Sequence, residues 1–166
     1  MTKFGVGQGV PRWEDPRLLR GGGRYSDDLN RPDQAHGIVV RSPHAHAVIR
    51  SIDTSAAAAL PGVLRLYTGA DIATAGYGSV PCLVQREKTD GTPMFTPPNL
   101  PLRQDRARYV GDYVAFVVAE TVAQARDAAE LIDIDYEPLP SVTATIDALK
   151  DDAQDVWNEA PGNVCF

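Results

Sequence analysis

From residue 34 onward the chain is built of short runs with extended-type hydrophobic patterning, separated by Gly- and Pro-rich breaks. A first strand is predicted from Gln34 to Arg41. Ser42-Pro43 ends it, because proline brings no donor to a ladder and pushes its predecessor toward extended geometry. A second strand starts near Ala45, with Ala47 and Ile49 on one face and Val48, Arg50 and Ile52 on the other. Asp53 and Thr54 then offer side-chain oxygens to the free N–H groups of a short helix from Ser55 to Leu60, whose alanines carry the lowest helix cost. Pro61-Gly62 stops that helix, a third strand follows from Val63 to Thr68, and Thr68-Gly69-Ala70-Asp71-Ile72 reads as a turn into another short helix.

A second set of elements repeats this order. Arg106 to Val110 and Tyr113 to Ala119 form a predicted hairpin around Gly111-Asp112, a pair that tolerates positive φ. The second arm, YVAFVVA, is almost continuously apolar and is the strand expected to be most buried. Thr121 and Gln124 form a capping box for a helix from Val122 to Glu130, where Ala123, Ala125, Ala128 and Ala129 permit close approach to a sheet. Ile132, Ile134 and Tyr136 alternate with Asp133 and Asp135 as a closing strand. Residues 35 to 68 and 106 to 136 thus share the order strand, strand, helix, strand, which predicts a rough internal symmetry in an α+β domain with two main short helices.

The remaining segments lack this patterning. Residues 1–33 are rich in Gly and Arg and read as an extended arm with tight turns, and 34–150 as the domain proper. Within the domain, 73–101 is broken repeatedly by Pro and Gly and reads as a long irregular excursion, a length that in compact domains usually signals function or disorder. A weak helix signal at Ile146 to Leu149 precedes an acidic stretch, and 151–166 reads as an open tail.

Composition narrows the function classes. At 166 residues with 43% hydrophobic and 23% charged residues, the chain fits one folded domain. No apolar run approaches the ~18 residues of a membrane helix. The net charge of −6, with 16 scattered basic residues, argues against nucleic acid as partner. Cys82 and Cys165 form no C-x-x-C pair and cannot supply the four thiolates of an iron–sulfur cluster. With no signal-peptide pattern at the start, a reducing cytoplasm is the expected compartment.

Candidate chemistry is sparse. His44-Ala45-His46 is the one local pair of imidazoles, and on a strand this spacing puts both rings on one face. The third histidine, His36, lies on another segment, so a metal site here lacks ligands, and a role for the pair beside a turn or against another domain is preferred. Gly5-Val6-Gly7-Gln8-Gly9 resembles a phosphate loop but lacks the flanking strand and helix. Glu14-Asp15, Asp27-Asp28 and Asp133-x-Asp135 are explained by turns or by the wet face of a strand. Tyr109, Tyr113 and Tyr136 read as core aromatics of strands.

Three phrases carry a family resemblance: PRWEDPRLLRGGGRYSDDL from Pro11, RSPHAHAVIRSIDTSAAAALPGVLRLYTGADI from Arg41, and RYVGDYVAFVVAETVAQARDAAELIDIDYEPLP from Arg108. In order and content they resemble the start of the molybdenum-binding large subunit of the xanthine dehydrogenase and aldehyde oxidase family, the first phrase most like aerobic carbon-monoxide dehydrogenases. Where this chain has Tyr113, the family usually has proline. The resemblance implies an α/β hammerhead fold and a structural N-terminal module of a hydroxylase or dehydrogenase. In the full subunit a molybdenum–pterin cofactor is implied, with the catalytic carboxylate and cofactor residues lying beyond this stretch. No catalytic, cofactor or metal residue is therefore assigned here. The implied partners are the remaining cofactor domains of the large subunit and iron–sulfur and flavin subunits or domains. A free-standing scaffold or interaction module, and a small metal-binding protein using His44 and His46, remain as alternatives.

Overall fold

A computed structural model describes Gly7 and residues 9–166. The chain divides into two compact units, Met1–Gln34 and Ala35–Phe166. In the first, helix α1 (Asp15–Leu18) begins at Asp15-Pro16, and the Asp15 carboxylate accepts from Arg12 N and Nε at 2.9 and 3.0 Å. Ser26–Asp28 forms one 3-10 turn, closed by Tyr25 N donating to Asp28 Oδ2 at 2.8 Å. The glycine-rich stretch from Gly5 to Gly9 lies largely outside the described residues.

The second unit contains six strands: β1 (His36–Arg41), β2 (Ala47–Asp53), β3 (Val63–Thr68), β4 (Arg106–Ala107), β5 (Tyr113–Ala119) and β6 (Asp133–Pro138). Helices α2 (Ser55–Ala58), α3 (Gly69–Thr74) and α4 (Val122–Glu130) fall between them. The strands make two three-stranded antiparallel sheets, ordered β1-β5-β3 and β4-β2-β6. Each half of the chain contributes its first and third strands to one sheet and its second strand to the centre of the other. The two halves therefore pair alike, through exchange of their middle strands.

This exchange corrects the hairpin expected at Gly111-Asp112. β4 stops at Ala107 and pairs with β2, whereas β5 lies between β1 and β3. The reason is that the turn bonds to another segment: Ser42 N donates to Asp112 O and Gly111 N to Ser42 O, both at 2.8 Å. β5 is the most buried strand, with Val114, Ala115, Val117 and Ala119 fully inaccessible.

The main core is the inner face of the first sheet under α4. Ala115, Val117 and Ala119 meet Ala125, Ala128 and Ile132, with Ala57 of α2 alongside. Small side chains on both surfaces let helix and sheet approach closely. Ala123, expected on this face, points outward. The strand alternation is also broken where bulges occur. Between Ile49 and Ser51 the register to β6 shifts, leaving Arg50 extra, so Ile52 joins Ile49 on the inner side rather than opposing it.

Caps follow the sequence closely. Asp53 Oδ1 accepts from Ser55 N at 2.9 Å, while Thr54 makes no side-chain cap. Thr121 Oγ1 accepts from Gln124 N at 3.2 Å. Thr68 and Asp71 form a capping box on α3, with Thr68 N and Oγ1 donating to Asp71 Oδ2 at 2.7 and 2.8 Å. Those two bonds, from the Thr68 backbone and then its hydroxyl, hold the Asp71 carboxyl below its ordinary value.

Between α3 and β4 the chain runs without regular strands, with one isolated bridge between Glu87 and Pro93. Its ends are pinned together by Val80 N to Asn99 O at 2.9 Å and Asn99 N to Ser79 Oγ at 2.7 Å. The terminal segment is not open. Phe95 N donates to Cys165 O at 3.0 Å, and the rings of Phe95 and Trp157 meet at 5.8 Å.

No residue of this excursion belongs to the buried core cluster. Replacing residues 82–97 by a short Gly-Ser link should leave a single cooperative urea transition, with a loss of about 1 kcal/mol from the Phe95–Trp157 contact. Loss of cooperativity would show that the excursion is part of the core. A lowered carboxyl pKa contributes stability above the unfolded value, near 3.9, that is lost as pH falls through the folded value. Wild type should therefore exceed Asp71→Asn in urea stability at neutral pH, and the two should converge as the pH drops below about 4.

Candidate functional site

Charged and polar side chains are drawn inside at one place, where the links between exchanged strands pass each other. The link from β1 to β2 carries Ser42, His44 and His46, and the link from β4 to β5 carries Arg108, Gly111 and Asp112. Gly111 adopts φ +92°, a conformation that L side chains rarely take, and this turns the chain so that Asp112 points inward. Asp112 is 1% exposed. Its Oδ1 accepts from Arg103 Nε at 2.7 Å and Tyr113 N at 3.2 Å, and its Oδ2 from Arg108 N at 3.0 Å. Arg103, also buried, donates through Nη1 to Pro98 O at 3.0 Å and through its backbone N to Tyr113 O at 2.7 Å. Burial pushes the Arg103 guanidinium down, but the bond and charge of Asp112, assisted by Tyr109, outweigh it and leave Arg103 above its ordinary value.

Arg108 is held differently. Its guanidinium lies 3.8 Å from the centroid of the Trp157 ring, and Nη1 donates to Arg106 O at 3.3 Å. Its carboxylate neighbour is the exposed Asp105, at 3.7 Å, and Nε has no partner. Burial is the main cause that pulls its pKa down; Asp105 opposes the shift, while Arg106 and Arg103 reinforce it. Two clefts flank this arginine. One, of about 440 Å³, lies between Pro97-Pro98 and Trp157; the other, of about 260 Å³, is lined by His46, Tyr109, Pro140 and Gln154.

His44 and His46 do not sit on a strand as the sequence suggested. β2 begins at Ala47, so both lie in the turn before it, and strand alternation does not set the side of their rings. The His44 ring packs at a tilt on Tyr136, 4.9 Å between centroids. The His46 Nδ1 stands 3.0 Å from Pro140 O and so carries the proton it donates. His36 is at the far end of β1, about 17 Å of extended strand from Arg41. Among the described residues no three His, Cys, Asp or Glu side chains come together in a way that could hold a metal ion.

The other acidic pairs serve locally. Glu14 binds Arg17 at 2.6 Å, Asp15 binds Arg12, Asp28 caps its own turn, and Asp133 and Asp135 are exposed on β6. Of the three tyrosines expected in the core, Tyr136 is half-buried, and burial pushes its phenol pKa up. Tyr109 and Tyr113 are instead exposed, with the Arg41 guanidinium 4.4 Å over the Tyr113 ring. Sequence reasoning missed Arg103, Arg108, Asp112 and Trp157. Their partners lie in other segments, so no local spacing marks them.

At this joint both Asp112 oxygens and the Nε and Nη1 of Arg103 are taken up by protein partners, while Arg108 Nε, His46 Nε2 and the Tyr136 hydroxyl are buried without one among the described residues. Among the described residues no helix is long and apolar enough to cross a membrane.

Comparison with known proteins defines the class. Residues 20–140 match the family model for the aldehyde oxidase and xanthine dehydrogenase a/b hammerhead domain. The chain is 43% identical over 142 residues to the large subunit of nicotine 6-hydroxylase from Paenarthrobacter nicotinovorans, a match covering 86% of this chain and 17% of that protein. The crystal structure of quinoline 2-oxidoreductase from Pseudomonas putida 86 superposes with a TM-score of 0.76 at 40% identity, covering 92% of this chain and 19% of the other. A structure of the Cu,Mo-CO dehydrogenase gives 0.68 at 39% identity, covering 90% and 18%. The chain belongs to the aldehyde oxidase and xanthine dehydrogenase family, as the hammerhead domain of its large subunits. It spans less than a fifth of the length of the relatives it matches.

Asp112→Ala should cost about 3–5 kcal/mol in urea unfolding, because it strands the buried Arg103 cation. Asp112→Asn keeps an acceptor for the backbone N–H groups and should cost less. Equal losses for both would show that the charge is not what the joint requires.

Proposed function

We propose that this chain is the structural N-terminal module of the large subunit of a molybdenum-cofactor hydroxylase or dehydrogenase, and that the cofactor and catalytic residues belong to other domains of that subunit. The observation that carries this reading is the match across 20–140 to a domain that makes up less than a fifth of its relatives. The chemistry of the joint supports it, since its buried charges are used in holding the fold. A cofactor of this class needs groups that orient it and tune its electronics. On this reading the module works in the cytoplasm, supports the cofactor domains, and sits in an assembly with iron–sulfur and flavin units that carry electrons away. The Gly- and Arg-rich arm and the excursion are its docking surfaces. Trp13 on the arm and Leu83 on the excursion are 98% and 91% exposed, which suits apolar anchors that await partners.

Metal and pterin analysis tests the reading. The isolated chain should carry molybdenum, zinc, copper and iron far below one equivalent, whereas the full large subunit that includes it should carry molybdenum and pterin. One equivalent of metal on the isolated chain, lost in His44→Ala or His46→Ala, would overturn it in favour of an independent metal site.

A further inference from the structure

The first sheet has two largely apolar faces, the inner one under α4 and the outer one covered only in part, by Ile72, Tyr77 and Leu102. On its outer face the register places Val39, Phe116 and Tyr67 in one row across the three strands and Gly37, Val118 and Arg65 in the next. The register shift between Val40 and Arg41 leaves Val114 extra in β5, which brings Tyr113 to the same side as Phe116. Gly37 is part of this surface: a Cβ there would lie 2.4 Å from Phe116 Cζ, so the glycine lets the ring lie flat across β1. Ile72, Tyr77 and Leu102 rim a groove of about 400 Å³ over this row. Tyr67, Tyr77 and Tyr113 are 37%, 66% and 39% exposed, with Arg41 and Arg65 at the margins.

A strand with one face turned to water normally alternates polar with apolar residues, whereas YVAFVVA carries the unbroken apolar run typical of a strand covered on both sides. An apolar groove rimmed by phenol hydroxyls and arginines has the composition of an interface core with its polar rim. The length of the relatives says what can cover it, since more than four-fifths of each lies outside the matched stretch. We propose that the outer face of the β1-β5-β3 sheet is the seat of a neighbouring cofactor domain of the same large subunit, with Tyr67, Phe116 and Tyr77 as its apolar anchors. This inference rests on the reading of the chain as a large-subunit module and adds the surface through which it is held.

Hydroxyl-radical footprinting read by mass spectrometry tests it without altering the protein. Tyr67 and Tyr77 should react freely in the isolated chain and about tenfold more slowly in the cofactor-loaded full subunit, as for residues moved into a packed interface. Equal reactivity in both would overturn the inference and leave the functional reading standing, because metal and pterin analysis judges that reading separately. Protection already present in the isolated chain would also overturn it. If it rose with concentration the occupant would be a second copy, and if it vanished on removing residues 1–34 the occupant would be the chain's own arm. Tyr67→Lys with Tyr77→Lys should lower the Tm of the full subunit but not that of the isolated chain. An equal drop in both would assign these rings to the module's own stability.

Discussion

A carboxylate sealed from water, Asp112, sits where two crossing links of the chain must be held against each other. Because each half sends its middle strand into the other half's sheet, the links Ser42–His46 and Arg108–Asp112 pass within hydrogen-bond distance, and something has to fix their relative height. Asp112 does so with its backbone and its side chain together. Its carbonyl receives Ser42, while its carboxylate gathers Arg103 and the N–H groups of Arg108 and Tyr113. A buried pair of this kind adds little net stability over a well-packed apolar pair, but breaking it is costly, so it acts mainly on geometry.

Strand exchange makes the fold strongly non-local. β1 finds its partner more than seventy residues away, and β2 and β6 are separated by about as much. Such pairings carry a loop-closure cost that local contacts do not repay, so a folding route dominated by the two central strands is slow compared with a hairpin-built sheet. The excursion between α3 and β4 lies outside this economy of contacts. With its ends pinned near Val80 and Asn99, it is free to serve as surface while the sheets hold the frame.

The buried pair of Arg103 and Asp112 holds the crossing links together, and exposed apolar side chains lie on the arm, on the excursion and on the outer sheet face. The family to which the chain belongs has large subunits of which the matched stretch is less than a fifth.

Periodicity, proline breaks and capping residues were enough to place most elements, since these are local properties of backbone and side chain. Val63–Thr68, Tyr113–Ala119 and Val122–Glu130 fall where the pattern puts them, and the uninterrupted apolar run of β5 marked the most buried strand. Pairing was a different matter. Gly111-Asp112 looks like a hairpin turn because positive φ and a short polar side chain are all a hairpin asks for locally, yet Ser42 from a distant segment supplied better bonds. The bulges at Arg50 and Val114 reversed which residues face inward, and so moved Ile52 in and Tyr113 out. His44 and His46 lie in the turn before β2, which starts at Ala47, so strand alternation does not set the side of their rings. Local sequence thus determined which segments extend or coil and which family they belong to. Only the tertiary structure decided which strands meet and which charges are buried together, because a partner seventy residues away leaves no mark in the spacing of its neighbours.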